Sequence, residues 1–204
     1  MNNGNLFIVS APSGAGKTSL LKALLEKDDA LALSVSHTTR NARAGEEDGV
    51  HYHFVSVETF MHLAGEGAFL EQAQVFDNYY GTSQQGVESQ LQSGVDVVLE
   101  IDWQGAQQVR KAFPQAISIF IIPPSIAALR ERLSNRGQDD ESIIERRMRD
   151  AQKELSHYAE YDYLVVNDAF DAALDDLACI VSSVRLRLAQ NAQRHATALQ
   201  EMLS

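Results

Sequence analysis

The 204 residues include 28 acidic and 17 basic side chains, for a net charge of −11, a balance that excludes a nucleic-acid backbone as the main partner because that partner demands a concentrated basic face. A chain of this length buries about 70% of its unfolded surface, enough for one core with a smaller appended unit. The single cysteine, Cys179, excludes a disulfide framework and a thiolate metal site and fits the reducing cytoplasm, and with no secretory leader or run of about 18 apolar residues neither export nor a membrane span is expected.

Leu6-Phe7-Ile8-Val9-Ser10 reads as a buried central strand. Ala11-Pro12-Ser13-Gly14-Ala15-Gly16-Lys17-Thr18 follows as a glycine turn, leading into a helix whose leucines recur at helical spacing over residues 19–25. A glycine turn between strand and helix offers unpaired N–H groups and the positive end of the helix dipole to a polyphosphate. Gly14 and Gly16 let the backbone close around it, Lys17 reaches the outer phosphates and Thr18 a magnesium ion. The G-x-x-x-x-G-K-[ST] pattern is met except at its first position, where Ala11 stands.

Residues 28–33 read as a connection, 33–36 as a short strand or extended segment, and 37–49 as a polar loop carrying Arg40 and Arg43. A strand over 50–55, a short helix over 57–66 and a strand over 69–76 follow, and 77–82 turns the chain back. Residues 34–83 thus form an insert, a candidate acceptor-binding subdomain, within a core made of 1–33 and 84–204. Helix is predicted over 84–93, and 95–102 is a second nearly continuous apolar strand. It ends in Glu100 and Asp102, spaced to share one side at the edge where open parallel sheets bind ligands. A helix over 104–112, a strand over 117–122 stopped by Pro123-Pro124, and a helix over 126–136 come next. Asp139-Asp140-Glu141 opens a helix running to about residue 157, and a strand over 163–167 leads into a long final helix. Strands alternating with helices predict an α/β fold, a parallel sheet with helices on both faces and a small mixed α/β insert.

Six of the basic residues, all arginines, fall between Arg130 and Arg149 together with five acidic ones. By themselves they describe a solvated helical surface. Beside a phosphate loop, the helices around the polar hinge 134–140 read as a helical lid, about residues 125–150, whose Arg130, Arg132, Arg136, Arg146 and Arg147 fold over a phosphoryl group. Arg40 and Arg43, with Tyr52 and Tyr80, offer a second phosphate site. His51 and His53 lack the further ligands a metal site needs, and Trp103 reads as packing. Leu177, Val181, Val184, Leu188, His195 and Met202 fall near heptad spacing, which predicts a homo-oligomer through the C-terminal helix or a tail packed on its own domain.

In combination these stretches resemble the bacterial guanylate kinases over nearly the whole chain, to about residue 187. The likeness lies in Ser10-Ala11-Pro12-Ser13-Gly14-Ala15-Gly16-Lys17-Thr18, Val35-Ser36-His37-Thr38-Thr39-Arg40, Asn78-Tyr79-Tyr80-Gly81-Thr82, Ile101-Asp102-Trp103-Gln104-Gly105, Asn135-Arg136-Gly137 and Val166-Asn167-Asp168. The resemblance implies transfer of the γ-phosphoryl of ATP to GMP with Mg²⁺ as cofactor, in guanine nucleotide metabolism and salvage. It implies ATP on the loop of residues 11–18 with Asn167 near adenine, and GMP in the insert, which moves toward the lid. It further implies Ser36, Glu71 and Thr82 at guanine, and Arg40, Arg43, Tyr52 and Tyr80 at the GMP phosphate. Lys17, Arg136 and Arg147 are implied at the transferring phosphoryl, Thr18 at the metal, and Asp102 near GMP and just beyond the metal. Glu100 stands where the family usually has Asp, one methylene longer. Asp102-Trp103-Gln104-Gly105 also fits the D-x-x-G of GTPases, but the guanine-reading N-K-x-D is absent. A binding-only scaffold of this type usually loses the phosphate loop, and a sugar-phosphate kinase of similar fold would not need Ser36 and Glu71 together.

Overall fold

Alternate residues of a strand face opposite ways, and in the central strands of this chain both directions are apolar, so helices must cover both sides of the sheet. The computed structural model describes residues 3–75, 77–134 and 141–204. Arg136, with the rest of the predicted hinge after Ser134, lies outside the described residues. Strands β1 (Leu6–Ser10), β2 (Leu31–Leu33), β7 (Asp96–Glu100), β8 (Ile117–Ile122) and β9 (Tyr163–Val166) form a five-stranded sheet in the order β2-β7-β1-β8-β9. Every pairing in it is parallel. Phe7 and Val9 of β1 pack on one side with Leu20, Leu21 and Leu24 of α1 (Lys17–Lys27) and with Leu174, Leu177 and Val181 of α7 (Phe170–Arg185). Leu6 and Ile8 pack on the other with Val87 and Leu91 of α3 (Gln84–Gln92) and Ala106 and Val109 of α4 (Trp103–Ala112). Each such side chain contributes about 1.5–3 kcal/mol of burial.

A second, four-stranded sheet, in the order β4-β3-β6-β5, is built from β3 (His37–Thr38), β4 (His53–Phe54), β5 (Phe69–Val75) and β6 (Asn78–Ser83). Here β3 pairs parallel with β4 and antiparallel with β6, and β5 pairs antiparallel with β6. Helix α2 (Val57–Gly65) is capped by the Ser56 hydroxyl, which accepts from the Thr59 N–H at 3.1 Å, and its buried Phe60 stacks on Phe69 at 4.6 Å. Helices α5 (Ile126–Ser134) and α6 (Glu141–Leu155) join through Leu129, Leu133, Ile144, Met148 and Ala151.

Several elements differ from the sequence expectation. His37 and Thr38, expected in a polar loop, are strand β3, and residues 78–82, expected as a turn, belong to strand β6, because Tyr80 pairs with Thr38 on one side and with Ala73 of β5 on the other. Residues 31–33 are strand rather than connection, because Leu31 pairs with Asp96 of β7. Only His53 and Phe54 of the predicted strand 50–55 are strand, since Gly49 N–H turns back onto the Tyr52 carbonyl at 2.8 Å and leaves Val50 exposed. The strand predicted to reach Asp102 stops at Glu100, and Asp102 caps α4 instead, its Oδ1 accepting from the Gly105 N–H at 2.9 Å. The long final helix breaks after Arg185 into α8 (Leu188–Arg194) and α9 (Ala196–Leu203). The heptad stripe is divided with it: Leu177, Val181 and Val184 lie in the core, whereas Leu188 and Met202 are 83% and 80% exposed.

Candidate active site

The C-terminal ends of β1 and β7 are adjacent, with Val9 opposite Glu100, so the turn leaving β1 and the carboxylate ending β7 face each other. Gly14 and Gly16 adopt φ of 90° and 91°, a region that side chains with a Cβ avoid. Space is as tight as torsion: a Cβ on Gly16 would lie 2.4 Å from the Asn167 side-chain nitrogen. That buried amide donates to the Ala15 carbonyl at 2.7 Å and braces the loop from the end of β9. Glu100 Oε1 accepts from the Thr18 hydroxyl at 2.5 Å and lies 3.8 Å from Lys17 Nζ, which also reaches the Ile101 carbonyl at 3.5 Å.

Across from the loop stands β5, and its register carries the decisive feature. Phe69 pairs with Ser83 but Glu71 with Thr82, so Leu70 is an extra residue in the ladder. Such a bulge breaks the in-out alternation. Leu70 can then join the core beside Val87 and Leu91 while its neighbour Glu71 is also buried, at 4% exposure. Glu71 Oε1 accepts from the fully buried Thr82 hydroxyl at 2.5 Å, and Ser36 Oγ lies 3.4 Å from that hydroxyl. Burial first, and the charge of Asp102 after it, push the Glu71 carboxyl up to about 7 against the pull of the Thr82 hydrogen bonds.

A cavity of about 350 Å³ lies between these walls. Ala11, Pro12, Ser13, Gly14, Gly16, Lys17 and Thr18 of the loop line it together with Ser36, Tyr52, Glu71 and Tyr80 of the second sheet and its approaches, and with Glu100 and Asp102 at the end of β7. A glycine loop on a helix N-terminus facing a buried carboxylate flanked by hydroxyls suits an anionic ligand whose far end presents N–H donors.

The family described as guanylate kinase matches residues 3–184. The chain belongs to the guanylate kinase family. It is 60% identical over 200 residues to a guanylate kinase of Pseudoalteromonas translucida, covering 98% of this chain and 97% of the relative. A guanylate kinase of Vibrio cholerae is 53% identical over 206 residues, covering 100% of both chains. Among solved structures, guanylate kinase from Anaplasma phagocytophilum superposes with a TM-score of 0.78 at 34% identity, covering 93% of this chain and 90% of that one.

Several residues expected at the kinase site stand behind the cavity wall or away from it. Ala15 is buried beneath the loop, and Thr82 backs Glu71. Arg40 pairs with Glu46 at 2.8 Å, holding that carboxyl down at about 2, and its guanidinium lies 5.5 Å from the Tyr52 ring centroid. Arg43 is exposed, its N–H bonded to Glu46 at 2.7 Å. Arg130 pairs with Glu145, joining α5 to α6, and Arg132 donates to the Asn167 carbonyl at 2.8 Å. Arg147 is half-buried and Arg146 exposed on α6, and neither lines the cavity. Trp103 stacks on His157 at 3.7 Å, as packing.

Glu154 lines the cavity without any sequence signal having marked it. Its Oε2 accepts from the Ser13 N–H of the phosphate loop at 3.0 Å, and burial raises its carboxyl above the ordinary range. In the sequence it is one more acid on a charged helix; only the packing of Met148 and Ala151 against α5 aims it at the loop.

Proposed function

We propose that this phosphotransferase seats ATP on residues 11–18 and GMP against the second sheet, and moves the γ-phosphoryl in line to the GMP phosphate, giving ADP and GDP. The observation that carries this reading is the single cavity shared by the phosphate loop and the Glu71 pocket, which brings a phosphate-binding and a base-reading wall together. The acceptor phosphate, with a second pKa near 6, is largely dianionic at neutral pH and needs no protein base. What remains is to align two anions and neutralise their repulsion. Lys17 does so at the transferring group, with Arg136 and Arg147 supplied by the lid at about 125–150. Arg40, Arg43, Tyr52 and Tyr80 hold the GMP phosphate, while Ser36, Glu71 and Thr82 read guanine and Asn167 borders the adenine. In this reading 34–83 acts as the GMP-binding subdomain of a core made of 1–33 and 84–204, and closure excludes water.

Magnesium fits the donor set. The Thr18 hydroxyl and Glu100 carboxylate, 2.5 Å apart, and the nearby Asp102 are hard oxygen donors. A cation held by so few protein oxygens keeps waters and takes phosphate oxygens, as magnesium does. Thr18 would hold it with Asp102 beyond, and it would supply positive charge to offset that of the phosphates.

An ADP-release assay with GMP, AMP, CMP and UMP tests the function. We expect kcat/KM for GMP to exceed each of the others by about 10³-fold or more; comparable use of any non-guanine nucleotide contradicts it. Protons give a second test. Guanine N–H donors stabilise the ionised form of Glu71, so binding lowers a carboxyl that stands near 7 in the empty site. GMP binding at pH 7 should therefore release about half a proton more in wild type than in Glu71→Gln, and its affinity should rise with pH through that range. Calorimetry in two buffers of different ionisation enthalpy measures this; equal release by both proteins refutes it.

We place the enzyme in the cytoplasm, where ATP and GMP are met; no helix among the described residues is long and apolar enough to cross a membrane. Self-association through α8 and α9 is supported by the exposed Leu188, Met202 and Leu203. Light scattering before and after removal of the residues following Arg187 reads it directly.

A further inference from the structure

Gly105 sits in the first turn of α4, buried, with a backbone that is not in the left-handed region. Its conformation is open to any residue, and glycine is the poorest helix former after proline. The reason for glycine here is therefore space. A Cβ at this position would lie 2.5 Å from Glu71 Oε2, 3.1 Å from its Cδ and 3.4 Å from its Cγ. The other carboxylate oxygen is held at 2.5 Å by the Thr82 hydroxyl. Glu71 is thus wedged between a hydroxyl on β6 and the one bare patch of the first turn of α4, and that turn is itself fixed by Asp102 accepting from the Gly105 N–H at 2.9 Å.

We propose that Gly105 is a positioning residue for base selection: by lacking a side chain it lets the buried Glu71 carboxylate lie flat against α4 in the orientation that accepts from both donors of guanine. This rests on the reading of Glu71 as the guanine acceptor. Gly105 does not line the cavity, and the atoms a Cβ there would meet belong to Glu71, so it acts through that carboxylate. With alanine at 105, the carboxylate must shift by roughly 1 Å to reach ordinary contact distance. It shifts toward the nucleotide side, because Thr82 and the bulged strand close off the other. A displacement of that size in a positioning group is worth about 10²-fold.

The test is Gly105→Ala beside Glu71→Gln and the double variant, each assayed with GMP and AMP. For Gly105→Ala we expect kcat/KM for GMP to fall by about 10²-fold, mostly through KM, with AMP use and KM for ATP within a few-fold of wild type. The melting temperature should be equal or higher, since alanine favours the helix. The double variant should be no worse than Glu71→Gln alone, as expected when one residue acts through the other. If Glu71→Gln collapses the GMP-to-AMP ratio while Gly105→Ala leaves it unchanged, the positioning role of Gly105 is overturned and the Glu71 reading stands. If Glu71→Gln leaves the ratio unchanged, the underlying reading fails, whatever Gly105→Ala does. A fall in GMP and ATP use together, with a lowered melting temperature, overturns the proposal in favour of a purely structural glycine.

Discussion

Lys17→Met is expected to lower kcat for GMP phosphorylation by on the order of 10³-fold while KM for GMP stays within a few-fold, the scale of removing one preorganised donor from a developing anion. The ammonium is poised rather than locked: its contacts are a carbonyl at 3.5 Å and Glu100 at 3.8 Å. Both are long enough to yield when phosphate oxygens arrive. Methionine keeps an unbranched stem of similar bulk, so the start of α1 should survive, and an unchanged melting temperature checks that. A loss of less than about tenfold would show that the charge on the transferring group is met elsewhere.

Glu71→Gln is expected to lower kcat/KM for GMP by about 10²- to 10³-fold, the scale of losing one or two charge-assisted hydrogen bonds. Guanine presents N1–H and N2–H₂ as two donors on one edge, and a carboxylate accepts from both. Glutamine can accept from one and turns its own N–H₂ toward the other. Adenine presents a lone pair at N1, which the carboxylate repels and the amide can satisfy, so AMP use should hold or rise. Unfolding does not account for the loss. The Glu71 carboxyl titrates near 7 in the fold against 4.5 in its ordinary state, so the fold binds the extra proton between those values. The stability this contributes is complete below the unfolded value and lost as pH rises through the folded one. At pH 8 the wild type holds an ionised carboxylate in a buried site, and the neutral glutamine variant should be at least as stable there.

The phosphate loop was legible because its chemistry is local: β1, the two left-handed glycines and the start of α1 are consecutive, and each needs its own residue type. The central strands were equally legible, since burial on both faces leaves an unbroken apolar run. Glu71 as a candidate came from family resemblance, but the bulge that turns it inward depends on the pairing with β6, which no local period encodes. Asp102 read as the last residue of a strand because its spacing from Glu100 continues the alternation, yet an aspartate three residues before a free N–H caps a helix. The C-terminal stripe kept its apolar spacing through Leu186 and Arg187, where the backbone leaves the helix, so periodicity there outlived the structure that it describes elsewhere. Glu154 was silent, and Gly105 stood in a family-like stretch with no role attached, for a shared reason: each matters through a residue remote in sequence, Ser13 in one case and Glu71 in the other.

In the proposed mechanism one buried carboxylate, Glu71, accepts from both donors of guanine. The most direct measurement of this is a ladder of three acceptors, GMP, IMP and AMP, assayed for kcat/KM with wild type and Glu71→Gln at fixed ATP. IMP keeps N1–H and lacks the N2 amino group, so the wild type should rank GMP above IMP above AMP, in steps of about tenfold or more. In Glu71→Gln the ladder should flatten to within about tenfold from end to end. A ladder of the same height in both proteins would mean that guanine is recognised without Glu71, and the account of the site would be wrong.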